Sequence, residues 1–395
     1  MLDGVRAVAA LAVLLTHVAF QTGEVARSAG GAVLGRFDAG VAVFFVLSGF
    51  LLYRPHAVAV QTGSRPPALR QYALRRVARI LPAYWVALAA VVLTAGSAPA
   101  GRVLTHLGLA QTYLGGMFPS YTQTWSLCTE IAFYAALPAL AAAMSRAAGR
   151  HGLDAEWWLL GGLTAAGYGY IAAIHGVGLP DRALLWLPGH LDWFAGGMAL
   201  AALWARGRRR ATAAGRPAAV LRVARQLAEW PGSCWAAAGA LLLLAATPIA
   251  GPLSLEPIPG LAALVKEALY AVIGTLLLLP AALGDPGRPG LGRVLASPAG
   301  RWLGRISYGV FLWHVLVLRW VYELMGWPAF GGHLVAAAVL TAAGSVAVAA
   351  LSWAVVERPA LSLAERLARR PGPAADRANQ PAGADGRQAR GGQPD

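Results

Sequence analysis

Charged residues are scarce in this chain. Asp, Glu, Lys and Arg make up 13% of its 395 residues, about half the share found in soluble proteins, while 57% are hydrophobic. This deficit excludes an ordinary soluble domain, and recurring apolar runs of about 20 residues indicate a polytopic membrane protein. The sequence contains no tandem repeat, no nucleotide-binding glycine motif, and no spacing of His, Cys and acidic residues typical of a metal site.

Cysteine and lysine are also nearly absent. Two cysteines, Cys128 and Cys234, are too few to indicate a disulfide framework. Among 33 Lys and Arg residues only Lys266 is a lysine. The net charge of +15 does not indicate nucleic-acid binding, because the arginines lie in short segments between apolar runs, where they set membrane topology. Abundant Arg, Ala, Gly and Pro are typical of a GC-rich genome, so arginine content alone says little about phosphate recognition.

Hydropathy predicts an all-α fold of about ten transmembrane helices. Arginines gather in alternate connections and in the C-terminal tail, which places both termini in the cytoplasm by the positive-inside rule. The arginine-rich connections are 55–79, 146–156, 205–231 and 285–302. The predicted spans are 2–20, 39–54, 80–97, 124–145, 157–175, 183–204, 233–250, 263–284, 303–324 and 333–356.

The chain divides into a transmembrane domain, residues 1–359, and a basic cytoplasmic tail, residues 360–395. From about Pro371 the tail is rich in Pro, Gly, Ala and Gln, which predicts disorder. The first apolar segment lacks a cleavage site for a signal peptidase and is expected to be retained. On this topology Cys128 lies toward the outside and Cys234 toward the inside, so we expect no bond between them.

Two ionisable residues, Arg6 and His17, lie within the first apolar segment. Eleven helical steps of ~1.5 Å separate them by roughly 16 Å along the axis, about half the hydrocarbon thickness. Ionisable groups at such depth usually face a bundle interior or an aqueous cavity and indicate function. The alternative is that Arg6 marks the cytoplasmic edge of the span and His17 its far edge.

Five stretches carry further information through their order and spacing. The third places Arg75 and Arg79 one helical turn apart, and VERP at 356–359 closes the last span. The stretches are LDGVRAVAALAVLLTH at 2–17, GVAVFFVLSGFLLYRP at 40–55, RRVARILPAYW at 75–85, TWSLCTEIAFYAALP at 124–138 and GRISYGVFLWHVLVL at 304–318.

Together these stretches resemble the membrane-bound acyltransferase-3 family over residues 2–359. The resemblance implies a multi-pass enzyme of the bacterial cell membrane without a permanently bound cofactor. An enzyme of this kind takes an acyl group from cytoplasmic acyl-coenzyme A and places it on a hydroxyl of a glycan, a glycolipid or a secreted metabolite, as in O-acetylation of envelope polysaccharides. The chain departs from many relatives at Ala42 and Ile131, where they carry acids, which argues against a mechanism that needs a carboxylate pair.

The family motifs fall on particular residues of this sequence. The R-x10-H pattern falls on Arg6 and His17, and R-x-x-x-R on Arg75 and Arg79. The W-S-L-x-x-E-x-x-F-Y pattern falls on Trp125, Ser126, Leu127, Glu130, Phe133 and Tyr134.

The residue types support acyl transfer on chemical grounds. Transfer from a thioester to a hydroxyl needs a base, and histidine is the commonest choice because its unperturbed pKa lies near neutrality, which makes His17 the candidate. Glu130, placed in the outer half of its span, could meet His17 and orient the imidazole; the alternative is a core acid with satisfied hydrogen bonds. Arg75 and Arg79 could clamp coenzyme A phosphates, or could anchor lipid headgroups instead. We assign catalysis to His17, Glu130 and Arg6, and donor binding to Arg75 and Arg79.

Other polar and aromatic residues are candidates for substrate binding. His190 and Asp192 enter the sixth span from outside, where they could contact the acceptor. His314 could equally be an interfacial residue beside Trp313, and Ser48 is expected to hydrogen-bond a neighbouring helix rather than act as a nucleophile. The substrate-binding candidates are Trp125, Ser126, Tyr134, Asp192, Tyr308 and His314.

Two other function classes compete with the enzyme. A secondary transporter or exporter also suits ten spans with buried charges, but no symmetry between two halves is visible. If the protein were a structural partner in envelope synthesis, cells carrying His17→Ala would keep the wild-type phenotype. The sequence names neither the acceptor nor the oligomeric state.

Overall fold

The computed structural model describes residues 1–174, 176–211, 219–253, 258–285 and 291–369. Within these ranges the regular elements are helical and no strand is present. The ten long helices are α1 Leu2–Thr22, α2 Ala39–Thr62, α3 Leu69–Thr94, α4 Trp125–His151, α5 Ala155–Ala173, α6 Leu191–Ala211, α7 Pro231–Ala245, α8 Gly260–Leu283, α9 Pro298–Met325 and α10 Leu334–Ser352.

Shorter helices connect the long ones or extend them. One is a π-helical turn, Trp353–Glu357, that follows α10 directly. The α-helical pieces are Ala29–Gly35, Ala100–Leu107, Gln111–Leu114, Ala219–Ala228, Leu291–Leu295 and Arg358–Arg369, and the 3₁₀ turns are Glu24–Ala26, Arg36–Asp38, Pro119–Thr124, Asp181–Leu185, Leu187–His190 and Pro248–Ala250.

Each of the ten predicted spans corresponds to one long helix. Six helical stretches of the described residues are long and apolar enough to cross a membrane, and a seventh would be Ala219–Ala228 with α7, which meet at 90°. A multi-pass membrane protein is therefore supported, whereas ten crossings and the orientation of the termini are not confirmed. The six stretches are Leu2–Thr22, Ala29–Thr62, Leu69–Thr94, Pro119–His151, Gly260–Leu283 and Leu334–Ala368.

Helices α5, α6 and α9 belong neither to these six stretches nor to the bent pair. Helix α6 lies in the centre of the bundle, where it packs extensively on α2 and also on α5 and α8. Its residues Phe194, Met198 and Ala201 are at most 1% exposed. A helix enclosed by protein does not need an apolar surface toward lipid, so its composition can be more polar than that of a lipid-facing span.

Some predicted boundaries are wrong. Helix α3 begins at Leu69 rather than near residue 80, so the arginines predicted in the loop 55–79 lie on this helix from Arg70 onward. The first residues of the predicted tail, 360–369, belong to the helix Arg358–Arg369. The predicted disorder from about Pro371 and the predicted loop residues Arg216 and Arg288 fall outside the described residues.

The crossing of α2 and α6 depends on glycine. A Cβ atom on Gly197 would lie 1.8 Å from the carbonyl oxygen of Val46, and one on Gly49 would lie 2.3 Å from that of Phe194. The two backbones can approach this closely only because both residues lack a side chain, as at many crossings of membrane helices. Beside the crossing, Phe194 stacks on Phe45, with ring centroids 4.6 Å apart. Phe45 also contacts Trp125, His190 and Trp193, which line the cavity described next.

Residues of the turn after α1 line the same cavity. Gly23, in the left-handed conformation with φ 75°, ends α1 and redirects the chain. Farther on, the buried Arg36 donates hydrogen bonds to the carbonyl oxygens of Ala250 and Gly251, at 3.2 and 2.5 Å. Arg36 thereby ties the segment after α1 to the segment before α8.

Candidate active site

A cavity of about 1020 Å³ lies at the end of the bundle where α1 ends and α4 and α8 begin. Its lining is mostly apolar and aromatic, with polar groups concentrated in two places. His17 lies on one side, and a set of charged residues around Lys266 belongs to α8 and its neighbours. This composition is typical of a small-molecule site.

His17 has a defined protonation pattern. Its Nδ1 lies 2.9 Å from the carbonyl oxygen of Val13 and 3.2 Å from Nε2 of His314. A carbonyl oxygen can only accept a hydrogen bond, so Nδ1 of His17 carries the hydrogen. The other nitrogen, Nε2, then bears a lone pair and has no protein partner among the described residues. His17 lines the cavity and can accept a proton there.

His314 contacts the ring nitrogen of His17 that carries the hydrogen. Its Nδ1 lies 2.7 Å from the carbonyl oxygen of Phe311, so this nitrogen also carries hydrogen and Nε2 accepts from His17. The His314 side chain is fully buried, and the two rings meet edge to face with centroids 4.9 Å apart. His314 therefore lies in the protein interior in contact with His17, at the place expected for an orienting carboxylate.

Glu130 does not contact His17. Its carboxylate accepts hydrogen bonds from the Ser48 hydroxyl and, at 2.5 Å, from the Tyr134 hydroxyl. Tyr72 donates to the Tyr134 carbonyl oxygen at 2.9 Å. The predicted orientation of His17 by Glu130 is thus wrong for this structure, whereas the bond expected from Ser48 to a neighbouring helix is present. Glu130 joins α2 and α4 through their polar side chains.

Arg6 lies in a second polar group, toward the opposite end of α1 from His17. The charges of Arg79 and Glu130 both act on its guanidinium. Its Nε is buried without a hydrogen-bond partner among the described residues. Arg6 and His17 thus mark two polar centres on one helix, separated by roughly 16 Å.

Arg75 and Arg79 have different surroundings. Arg79 pairs with the buried Glu357 at 3.4 Å and lies over the ring of Tyr308, 5.7 Å from its centroid. Arg75 is exposed and makes no polar contact with another described residue. The structure therefore does not show a paired clamp: Arg79 belongs to the protein interior and Arg75 to the surface.

The remaining predicted substrate-binding residues lie in different parts of the molecule. Trp125 lines the large cavity, whereas Ser126 donates to the carbonyl oxygen of Gln123 at 3.2 Å. Tyr308 donates to the carbonyl oxygen of Ile80 at 3.0 Å, in the group around Arg79. Asp192 lines a separate cavity of about 380 Å³. The structure does not bring Asp192, Ser126 and Tyr308 into the cavity of His17.

Several cavity residues were missed by the sequence argument. Lys266 pairs with Asp38 at 2.9 Å, and Tyr270 donates a hydrogen bond to the same carboxylate. Glu267 contacts Nδ1 of His190 at 2.6 Å. The signal was present, since the single lysine of the chain stands beside an acid within a long apolar run. Sequence could not show that Asp38 and His190 meet this pair across the fold.

Comparison with known proteins identifies the family of the chain. A family model described as an acyltransferase domain, of the acyltransferase-3 family, matches residues 1–357. The chain is similar to acyltransferase MdmB of Streptomyces mycarofaciens, with 27% identity over 415 residues that cover 95% of this chain and 96% of that protein. No solved structure matches. The chain therefore belongs to the acyltransferase-3 family and is an acyltransferase with several apolar helices typical of a multi-pass membrane protein.

Proposed function

We propose that this acyltransferase moves an acetyl or other short acyl group from cytoplasmic acyl-coenzyme A to a hydroxyl of a glycan, a glycolipid or a secreted metabolite. The observation that carries the proposal is the lone pair on Nε2 of His17, which the hydrogen bonds of Nδ1 direct into the cavity of about 1020 Å³. A base with this geometry can remove the proton of a bound hydroxyl.

The chemical step uses His17 twice. Nε2 takes the proton of the acceptor hydroxyl while the oxygen of that hydroxyl bonds to the thioester carbonyl carbon. The carbon–sulfur bond then breaks, and the thiolate of coenzyme A receives the proton from His17. While His17 is protonated, its Nδ1–H is shared between the Val13 carbonyl oxygen and His314, which stabilises the imidazolium as an orienting partner does in a triad.

We further propose that donor and acceptor reach the site from opposite sides of the bacterial cell membrane. Ten crossings with both termini inside would place the cavity of His17 at the outer face and Arg75 at the inner face. The distance of roughly 16 Å between Arg6 and His17 is comparable with the length of a pantetheine arm. Within this arrangement Arg75 contacts donor phosphates from the surface. Arg79, which is paired with Glu357, stabilises the same part of α3 from the protein interior.

Topology can be tested with single cysteines. Ala26 and Ser64 are exposed and lie in the loops before and after α2, while the native Cys128 and Cys234 are buried. In oriented vesicles, an impermeant thiol reagent outside should label Ala26→Cys and spare Ser64→Cys. The reverse labelling pattern would invert the topology and contradict the two-sided reaction.

The reaction can be tested by release of coenzyme A from acetyl-coenzyme A by the protein in lipid nanodiscs, with sugars, alkyl glycosides and simple alcohols as acceptors. His17→Ala should lower turnover by the ~10²–10⁴-fold typical of general-base loss. His151→Ala is the matched control, because His151 is an exposed histidine at the end of α4. Substrate export without thioester consumption would replace the enzyme with a transporter.

A further inference from the structure

A second cavity, of about 390 Å³, lies at the other end of the bundle between α2, α3 and α4. Its walls are largely apolar and include Pro66 and Pro67, and the Tyr72 ring stands at one side. Arg146 lines it from the last part of α4. The cavity can therefore accommodate a flat apolar group, and Arg146 provides a positive charge in its lining.

Arg76 extends the positive charge from this cavity toward the bundle centre. Leu69, Tyr72 and Arg76 follow one another at intervals of three and four residues, so they share one face of α3. The Arg76 guanidinium lies 5.8 Å from the centroid of the Tyr134 ring. Neither Arg76 nor Arg146 makes a hydrogen bond or ion pair with another described residue, so both retain their donors for a ligand.

A chain of hydrogen bonds leads inward from the cavity. Tyr72, which lines it, donates to the Tyr134 carbonyl oxygen, and the Tyr134 hydroxyl donates to Glu130. The charge of Glu130 acts on Arg6, which stands on α1 roughly 16 Å from His17. The cavity therefore lies at the start of a series of polar residues that ends at Arg6.

We propose that this second cavity binds the adenosine 3′,5′-bisphosphate end of acyl-coenzyme A, with Arg76 and Arg146 contacting its phosphates. The inference rests on the acyl transfer proposed above. Guanidinium groups without protein partners match phosphate oxygens, and the proline and tyrosine walls suit a planar base. The assignment adds Arg76, which is half-buried, to the surface contact proposed for the exposed Arg75.

Donor truncation tests the assignment in nanodiscs. Arg76→Gln and Arg146→Gln should each raise the KM for acetyl-coenzyme A about tenfold or more, as expected for loss of a charged hydrogen bond. The KM for S-acetylpantetheine, which lacks the nucleotide, should stay unchanged, as should kcat. Arg150→Gln is the control, because Arg150 is exposed one turn farther along α4 and does not line the cavity. Equal effects on both donors, or none on either, would overturn the proposal.

Direct binding separates this proposal from the proposed function and from a lipid site. Adenosine 3′,5′-bisphosphate should bind the wild-type protein and bind Arg76→Gln at least tenfold more weakly, in nanodiscs of phosphatidylcholine alone. If binding follows this pattern while no thioester is consumed, the cavity assignment stands and the acyl transfer fails. If the nucleotide does not bind, and the variants change only the affinity for vesicles of phosphatidylglycerol, the cavity is a headgroup site and the proposal is wrong.

Discussion

The contact between His17 and His314 leads to a quantitative prediction. His314→Leu removes the acceptor for Nδ1–H of His17 and leaves only the Val13 carbonyl oxygen to orient the ring. In the transition state His17 carries positive charge, and a hydrogen bond to a charged group contributes about 1.5–3 kcal/mol. Turnover should therefore fall roughly 10- to 150-fold, since each 1.36 kcal/mol corresponds to a factor of about ten.

A conservative variant distinguishes orientation from simple packing. The amide oxygen of His314→Gln can still accept from His17, so this variant should retain more turnover than His314→Leu. The double variant His17→Ala/His314→Leu should be no slower than His17→Ala alone, because the two residues act as one unit. His106→Ala controls for the loss of a buried histidine, since His106 lines neither of the two cavities proposed to bind substrate. The assay is coenzyme A release, with folded protein quantified by size exclusion.

The reasoning would be refuted by either of two results. One is wild-type turnover in His314→Leu. The other is equal loss in His314→Gln and His314→Leu with the same melting temperature, because orientation by an accepting atom requires the two variants to differ.

Three further variants test other parts of the account. Arg75→Lys should raise the apparent KM for acetyl-coenzyme A with little change in stability, because lysine cannot match a phosphate bidentately; an unchanged KM would favour a lipid anchor. Arg79→Ala should destabilise the protein by about 3–5 kcal/mol, since it leaves Glu357 buried and unpaired, and restored stability in Arg79→Ala/Glu357→Gln would confirm the cause. Gly197→Ala should cost about 3 kcal/mol at the α2–α6 crossing, whereas Gly239→Ala, with open space at its Cβ, should be neutral or stabilising in thermal unfolding.

Much of the fold could be predicted because apolar length is a local property. Each predicted span became a helix, since about 20 apolar residues in lipid have few other ways to satisfy their backbone groups. The start of α3 was missed because Arg70, Arg75, Arg76 and Arg79 lower its hydropathy. Arg75, Arg76 and Arg79 lie on one side of the helix and Arg70 on the other, and an average over all faces hides this pattern.

The site was predictable only in part. Arg6 and His17 could be identified because an ionisable residue within an apolar run is recognisable from the local sequence, without knowledge of its contacts. The contact of His17 with His314 joins residues separated by 297 positions, and that of Glu267 with His190 spans 77. Such contacts depend on how helices pack and on which face each residue occupies. A single sequence therefore suggested Glu130 as the partner of His17, where the structure has His314.

Chemical rescue of His17→Ala tests the role of His17 most directly. The cavity of about 1020 Å³ has room for a free imidazole beside the deleted side chain. If His17 is the general base, added imidazole should restore part of the acyl transfer to His17→Ala in proportion to its unprotonated concentration, and should not restore His314→Leu. Wild-type turnover by His17→Ala without any added base would contradict the assignment.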